Sequence, residues 1–262
     1  MLALNWLYKK FWVARRFKKI FSVDNNAEFH VIYPLHHQGV CSNCNEHSRI
    51  LFPKPQRKNG QVIRSGAINL SKITSMASAK SVGYIVSSIV KNTKNAPQIS
   101  SDIDVDEKMN ISFVSLGAFG NFKSLDLFDD LANEFYHFDY DEEQISYIRK
   151  RKTGEKILGA KALNESNSDY GIIVKIHPSS NPDKTWICCA GFGIWGTSGA
   201  AYLLSYKWRE ILKWAGDEPF GCITKTIVGS DDSTEIIEKI SLKEDNISRL
   251  KKELHKFIQR IR

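Results

Sequence analysis

The sequence predicts an α/β fold: a mixed, partly parallel sheet flanked by helices, with a basic amphipathic helix at each end. Three observations carry this. Two stretches, Asn110–Phe135 and Thr185–Ala215, pass from an apolar strand pattern through a glycine loop into helical spacing. The β-branched run Tyr170–His177 reaches the second of those strands through the six-residue turn Pro178–Asp183, which makes the two an antiparallel hairpin beside parallel units. Charge is also segregated. Of the net +8, residues 1–60 carry +7 and residues 239–262 carry +5, while the middle of the chain carries −4.

Taken in order, Met1–Val23 sets Leu4, Leu7, Phe11, Ala14 and Phe21 at helical spacing, adds Trp6, Trp12 and Phe17, and intersperses six Lys and Arg. Such a helix either packs its apolar stripe on the main domain or a second subunit, or lies in the headgroup region of an anionic membrane. Asp24–Asn26 ends it, and Phe29–Tyr33 reads as a short strand. Between them His37, Cys41, Cys44 and His47 offer four ligands within eleven residues, the number a tetrahedral zinc site takes. An unbound polar loop and a redox Cys-x2-Cys are the alternatives.

Gln61–Leu70 is expected as a strand, Ser71–Lys91 as a helix, and the polar stretch Asn92–Lys108 as a linker. Asn110–Leu116 is a buried strand, and Leu125, Leu127, Phe128, Leu131 and Phe135 continue the helix after its loop. Phe135–Phe138 is a strand, and Gln144–Arg151 pairs with Lys156–Ala160 across Thr153–Gly154. After the second glycine loop one helix runs from Ala200 to Ala215, Phe220–Gly229 is a strand, and Ser230–Ser233 caps a short helix through Ile240. Residues 241–262 form the basic C-terminal helix. The resulting organisation is 1–23 basic helix, 24–108 N-terminal segment, 109–240 α/β domain and 241–262 C-terminal helix.

Composition narrows the function classes. No run approaches the roughly 18 apolar residues of a membrane-spanning helix. Five cysteines, two of them adjacent in an apolar run, point away from disulfides and toward the cytoplasm, with Cys188, Cys189 and Cys222 as small buried hydrophobes. Positive charge at the ends rather than around a cleft makes nucleic acid an unfavoured partner; a partner protein, a second copy or the inner membrane face suits the terminal helices better.

The chemistry gathers at the glycine loops. Gly191, Gly193 and Gly196 stand at G-x-G-x-x-G spacing, followed by Thr197 and Ser198 where a helix opens; Gly117, Gly120, Asn121 and Lys123 follow the other strand. Free amides of a helix's first turn bind anions, and glycine lets a phosphate come close. The two loops therefore read as halves of one site for a phosphorylated small molecule. The hairpin and the missing acidic residue about twenty positions on remove the dinucleotide reading, and no phosphate-binding lysine motif is spelled. A hydrolase reading offers Ser198 or Thr197 as nucleophile, His177 as base and Asp231 or Asp232 as orienting acid, without a G-x-S-x-G elbow. Tight turns that bind nothing are the remaining alternative.

The combination Ser115-Leu116-Gly117-x-x-Gly120-Asn121, Asp169-Tyr170-Gly171-Ile172-Ile173 and Gly191-x-Gly193-x-x-Gly196-Thr197-x-x-Ala200-Ala201 resembles a loosely defined group of bacterial Rossmann-like domains that accompany nucleotide-sensing modules in phage-defence and signalling proteins. Leu116 stands where that group usually has a glycine. Over residues 110–232 the resemblance implies a nucleotide-like ligand and a sensor or effector role. A hydrolase of such a ligand and a membrane-peripheral adaptor without one stay open beside it.

Overall fold

The computed structural model describes residues 2–21, 28–34, 56–58, 61–63, 75–105, 107–108, 110–143, 145–160 and 167–243. Helix α1 (Leu2–Phe21) precedes β1 (Phe29–Tyr33), a short hairpin of β2 (Gln56–Lys58) and β3 (Gln61–Ile63), α2 (Met76–Thr93), β4 (Gln98–Ser101) and β5 (Ser112–Leu116). Then come α3 (Phe122–Asp129), β6 (Tyr136–Tyr140), β7 (Ser146–Lys150), β8 (Lys156–Gly159), β9 (Ser168–Ile176) and β10 (Trp186–Gly191). Helices α4 (Ile194–Tyr206) and α5 (Trp208–Ala215) lead to β11 (Phe220–Ile227) and β12 (Ser230–Ser241).

Seven strands form one sheet in the order β12-β11-β9-β10-β5-β1-β4. The four strands β10, β5, β1 and β4 are parallel, whereas β9 is antiparallel to both β10 and β11, and β12 to β11. This is the mixed, Rossmann-like α/β sheet expected. Strands β1 and β4 come from residues 24–108 and lie in the same sheet as the strands of 109–240. The strands β6, β7 and β8 make a second, antiparallel sheet.

Alternation along the strands builds two cores. Val31, Val114, Leu116, Ile173, Ile187, Cys189 and Cys222 face α1, α2, α4 and α5 on one side. Ile32, Phe113, Ile172, Val174, Ile176, Trp186 and Cys188 face α3 and the small sheet on the other. Strands buried on both faces read as near-continuous apolar runs, which is why β10, and β5 apart from Ser115, are plain in the sequence. The three cysteines are free and buried, and burial raises their thiols: Cys188 to about 11, Cys222 to about 12, and Cys189 well above its usual value.

The second half of α1 buries one side against the rest of the fold. Phe17, Ile20 and Phe21 are fully buried, and Phe17 meets Trp208 edge-on at 5.3 Å. The exposed side carries Trp12, with the Arg16 guanidinium over its ring at 3.4 Å, and Arg15. Lys175, wholly buried in β9, donates to the carbonyls of Lys19 (2.9 Å) and Asp217 (2.6 Å) and so ties down the end of α1. Burial drops its ammonium to about 8, against partial support from Asp217. Among the described residues no helix is long and apolar enough to cross a membrane.

Four expectations are corrected. The supposed linker 92–108 contains β4, an edge strand beside β1. Residues 230–241 are strand β12, and the expected helix there does not form. Helix α3 stops at Asp129: Asp130 turns out of it and accepts from the Ser179 amide at 3.0 Å, Leu131 is exposed, and Phe135 enters the core from outside the helix. The helix after the second loop breaks at Lys207, whose ammonium is held by the carbonyls of Asp232 (3.1 Å) and Thr234 (2.6 Å). The expected strand 61–70 is described only at Gln61–Ile63; of the expected C-terminal helix 241–262, Ser241 ends β12 and residues 244–262 lie outside the described residues.

Candidate functional site

Strands β5 and β10 are neighbours and parallel, so their glycine loops emerge side by side at the carboxyl edge, and Gly117 N donates to Cys189 O at 2.9 Å. The loops are brought together as the sequence implied. What occupies the first turn of α4 is a side chain of the protein itself. Asp169, at the start of β9 and buried, accepts from Gly196 N at 2.7 Å and Gly193 N at 3.3 Å, and also from its neighbour Tyr170 N at 2.7 Å. A carboxylate sits where a phosphate would. Burial raises its pKa above the usual carboxylate value, making it a weaker acid, with these amides pulling the other way.

The glycines serve this contact. A Cβ on Gly193 would lie 2.7 Å from Asp169 Oδ2, and one on Gly196 would run into the Tyr170 carbonyl, so helix and strand approach at backbone distance. Thr197 turns its hydroxyl back to Gly193 O at 3.3 Å, and Ser198 is fully buried, its hydroxyl donating to Asp231 Oδ1 at 2.6 Å.

The first loop is also closed from within. Gly117 takes φ +90°, a left-handed conformation that favours glycine. Asn121 is buried where β1 and β5 diverge: its amide donates to Ile32 O (3.1 Å) and Leu116 O (3.0 Å), and its oxygen caps α3 at Lys123 N (3.0 Å). The next amide, Phe122 N, meets the buried carboxylate of Asp102 at 3.2 Å. Lys123 lies in the interior with its ammonium 3.1 Å from Asp126, and Gly120 sits in the exposed turn.

Of the hydrolytic trio, Ser198 and Asp231 meet and His177 does not join them. Strand β9 runs away from the carboxyl edge, and His177 lies eight residues beyond Asp169, about 26 Å at strand rise. Its Nδ1 pairs with Lys184 O at 2.9 Å. Asp231 instead gathers Tyr84 OH (2.8 Å) and Lys80 Nζ (2.5 Å) in addition to Ser198. Burial is the largest single influence on Lys80 and works against its charge, yet the hydrogen bonds and charges of Asp231 and Tyr84 together outweigh it and its ammonium is held above its usual value. Burial first, then Asp231, raises Tyr84. Lys80 also lies 4.9 Å from the Trp195 ring centre.

The sequence reading missed Lys80, Tyr84 and the role of Asp169. The first two stand four apart on one helix, a visible same-face pair. Nothing local announces Asp169, because its partners are 24 and 27 residues away. The proposed zinc ligands His37, Cys41, Cys44 and His47 lie outside the described residues, among which no group of three metal-binding side chains occurs.

Beside the two glycine turns stand aromatic rings from the loops themselves, Phe119 and Phe192, and from β6, Phe138 and Tyr140. Phe119 stacks on Tyr140 at 4.1 Å, and Phe192 meets Phe138 edge-on at 5.0 Å. Phe119, Phe192 and Tyr140 are partly exposed. Tyr140 continues into an open depression of about 550 Å³ lined by Asp141, Glu142, Glu143, Tyr147 and Arg149. Compared with family models, curated proteins and solved structures, the chain matches none.

Proposed function

We propose that this chain is a small-molecule-binding α/β domain whose ligand rests at the carboxyl edge on Phe119, Tyr140 and Phe192, recognised through a planar ring of nucleobase type. The single observation behind the choice of ring over phosphate is the Asp169 carboxylate in the first turn of α4. A phosphate there would have to displace a buried, triply hydrogen-bonded carboxylate, and the adjoining depression carries three acids against Arg149. Stacking on aromatic faces needs no such displacement. The sensor or effector role then rests on occupancy of this edge, with the basic outer side of α1 available to a partner or an anionic surface.

Isothermal titration of the full chain with the common nucleosides and their 5′-phosphates tests this. One nucleoside is expected to bind within about threefold of its own phosphate, and Phe192→Ala to weaken both alike, since stacking is worth about 1–3 kcal/mol per base. Phosphates binding tenfold or more above their nucleosides would sink the reading, as would no binding across the series. Gly193→Val is a poor probe, because its side chain meets Asp169 whether or not a ligand binds.

A further inference from the structure

At the opposite end of the sheet from the Asp231 cluster, β1 and β4 bring together an acid, an imidazole and a hydroxyl. In the parallel register Ile32 lies opposite Ser100 and His30 opposite Gln98. Alternate residues share a face, so Glu28, His30 and Ser100 stand on the same side. Glu28 Oε1 is 2.7 Å from His30 Nε2, and His30 Nδ1 is 3.0 Å from Ser100 Oγ. His30 is 1% exposed, Glu28 is exposed, and Ser100 is partly so on the outermost strand.

The hydrogen-bond polarity follows from the donors available. An ionised carboxylate only accepts, so the neutral ring carries its proton on Nε2 toward Glu28. Its Nδ1 is then an acceptor, and Ser100 donates to it. That is the arrangement of a hydroxyl held by a general base whose ring is fixed by an acid. The His30 bond is also the largest factor lowering the Glu28 carboxyl, which keeps the acid ionised; Lys108 Nζ stands 3.7 Å away on the same oxygen. Ser198 lacks this arrangement: its hydroxyl meets a carboxylate with no imidazole between.

We propose that Ser100, His30 and Glu28 form a hydrolytic site for small activated acyl esters, separate from the ligand edge. Ser100 Oγ adds to the ester carbonyl as its proton passes to His30 Nδ1. The acyl C–O bond breaks, and the leaving alcohol takes that proton. Water, deprotonated by the same nitrogen, then frees the acid and restores the serine. Ser100 and His30 are the catalytic residues, and Glu28 is a positioning residue that holds the tautomer.

The test treats the full chain with a fluorophosphonate and maps the adduct by peptide mass spectrometry, alongside p-nitrophenyl acetate hydrolysis from pH 5 to 9. Labelling of Ser100 with loss of fluoride is expected. Ser100→Ala should abolish the label and at least 90% of the ester rate above the uncatalysed background. Glu28→Gln should cut the rate about tenfold while labelling stays on Ser100. His30→Gln should bring the ester rate down to the uncatalysed background across this pH range, with melting curves certifying that each variant is folded. No adduct on Ser100 in the wild type, an adduct on other residues only, or ester hydrolysis unchanged by Ser100→Ala each overturns the proposal.

Discussion

Replacing Asp231 by alanine should be among the most damaging single changes at the carboxyl edge. Its carboxylate is 3% exposed and accepts from Ser198, Tyr84 and Lys80, so it ties β12 to both α4 and α2. The three donors fare differently once it is gone. Lys80, with 40% of its side chain exposed, turns to water at little cost, and that ion pair contributes little by itself. Tyr84, half-buried, recovers part of its loss. Ser198 has no exposed surface and is left with a stranded hydroxyl, about 1–3 kcal/mol. Adding the lost charged hydrogen bond from Tyr84 and subtracting the relief of no longer burying a carboxylate gives about 3 kcal/mol in all. For a chain of this size that is a fall of roughly 10 °C in melting temperature. Urea denaturation is the direct assay, with the midpoint falling and the slope unchanged. Asp231→Asn keeps an acceptor for Ser198 but faces Lys80 with a second donor, so its loss should be about half as large. In a double-mutant cycle with Ser198→Ala, the two changes should couple by about 1–2 kcal/mol. A loss below 0.5 kcal/mol in Asp231→Ala, or strict additivity with Ser198→Ala, would refute the idea that this carboxylate holds the helices to the edge.

Lys175 sets an alkaline trend of the opposite sign to that cluster. It loses its proton near pH 8 in the fold and near 10.5 unfolded, so the unfolded chain binds more protons between those values and stability rises with pH by up to about 3 kcal/mol. Chemical denaturation at pH 7.5, 8.5 and 9.5 should show that rise and Lys175→Met should flatten it; equal slopes in both proteins would refute the assignment. Lys80 and Tyr84 are both raised, so their share of stability is constant below about pH 10 and falls above it; Tyr84→Phe should blunt that fall in the same denaturation series. Gly199 faces Thr226 and Thr234 across α4, and Gly199→Ala should cost about 1–3 kcal/mol by overpacking, read as a lower urea midpoint. The outer side of α1 is expected to float the full chain with vesicles rich in phosphatidylglycerol at low salt, and Arg15→Glu with Arg16→Glu should abolish it without moving the melting temperature; flotation on neutral vesicles would count against an electrostatic contact.

How far the fold could be read depends on whether tertiary structure leaves the local period intact. The strands β5, β9 and β10 are covered on both faces and keep largely apolar runs, unbroken in β10 and interrupted once by Ser115 in β5 and once by Lys175 in β9, and the glycines after β5 and β10 mark the turns. Strand β12 was hidden by its bulge. Ile236 pairs with Thr224 and Glu238 with Ile223, so Ile237 is an extra residue. The insertion shifts the apolar positions to 236, 237 and 240, which is helical spacing, and the Ser-Asp-Asp-Ser before them imitates a helix cap. Strand β4 fails differently: four residues on an edge, with Gln98 and Ile99 exposed, offer no alternation to detect.

At the site, the same antiparallel hairpin that the sequence revealed already decides the fate of His177. If β9 runs against β10, the end of β9 lies beside the start of β10, and a histidine there cannot reach loops that follow β10. Register makes this concrete: Ile176 lies opposite Trp186, while Gly171 lies opposite Gly191. The start of β9 is therefore the part that meets the glycine loop, and the residue there is Asp169, an acid placed against amides that a phosphate-binding reading needs empty. The same rule explains the Glu28–His30–Ser100 cluster. His30 and Ser100 are seventy residues apart and become neighbours only because β4 joins β1 in parallel, so the cluster stays invisible until that edge strand is recognised. Strand direction assigns a polar residue to an edge, and register then assigns its partners; loop motifs do neither.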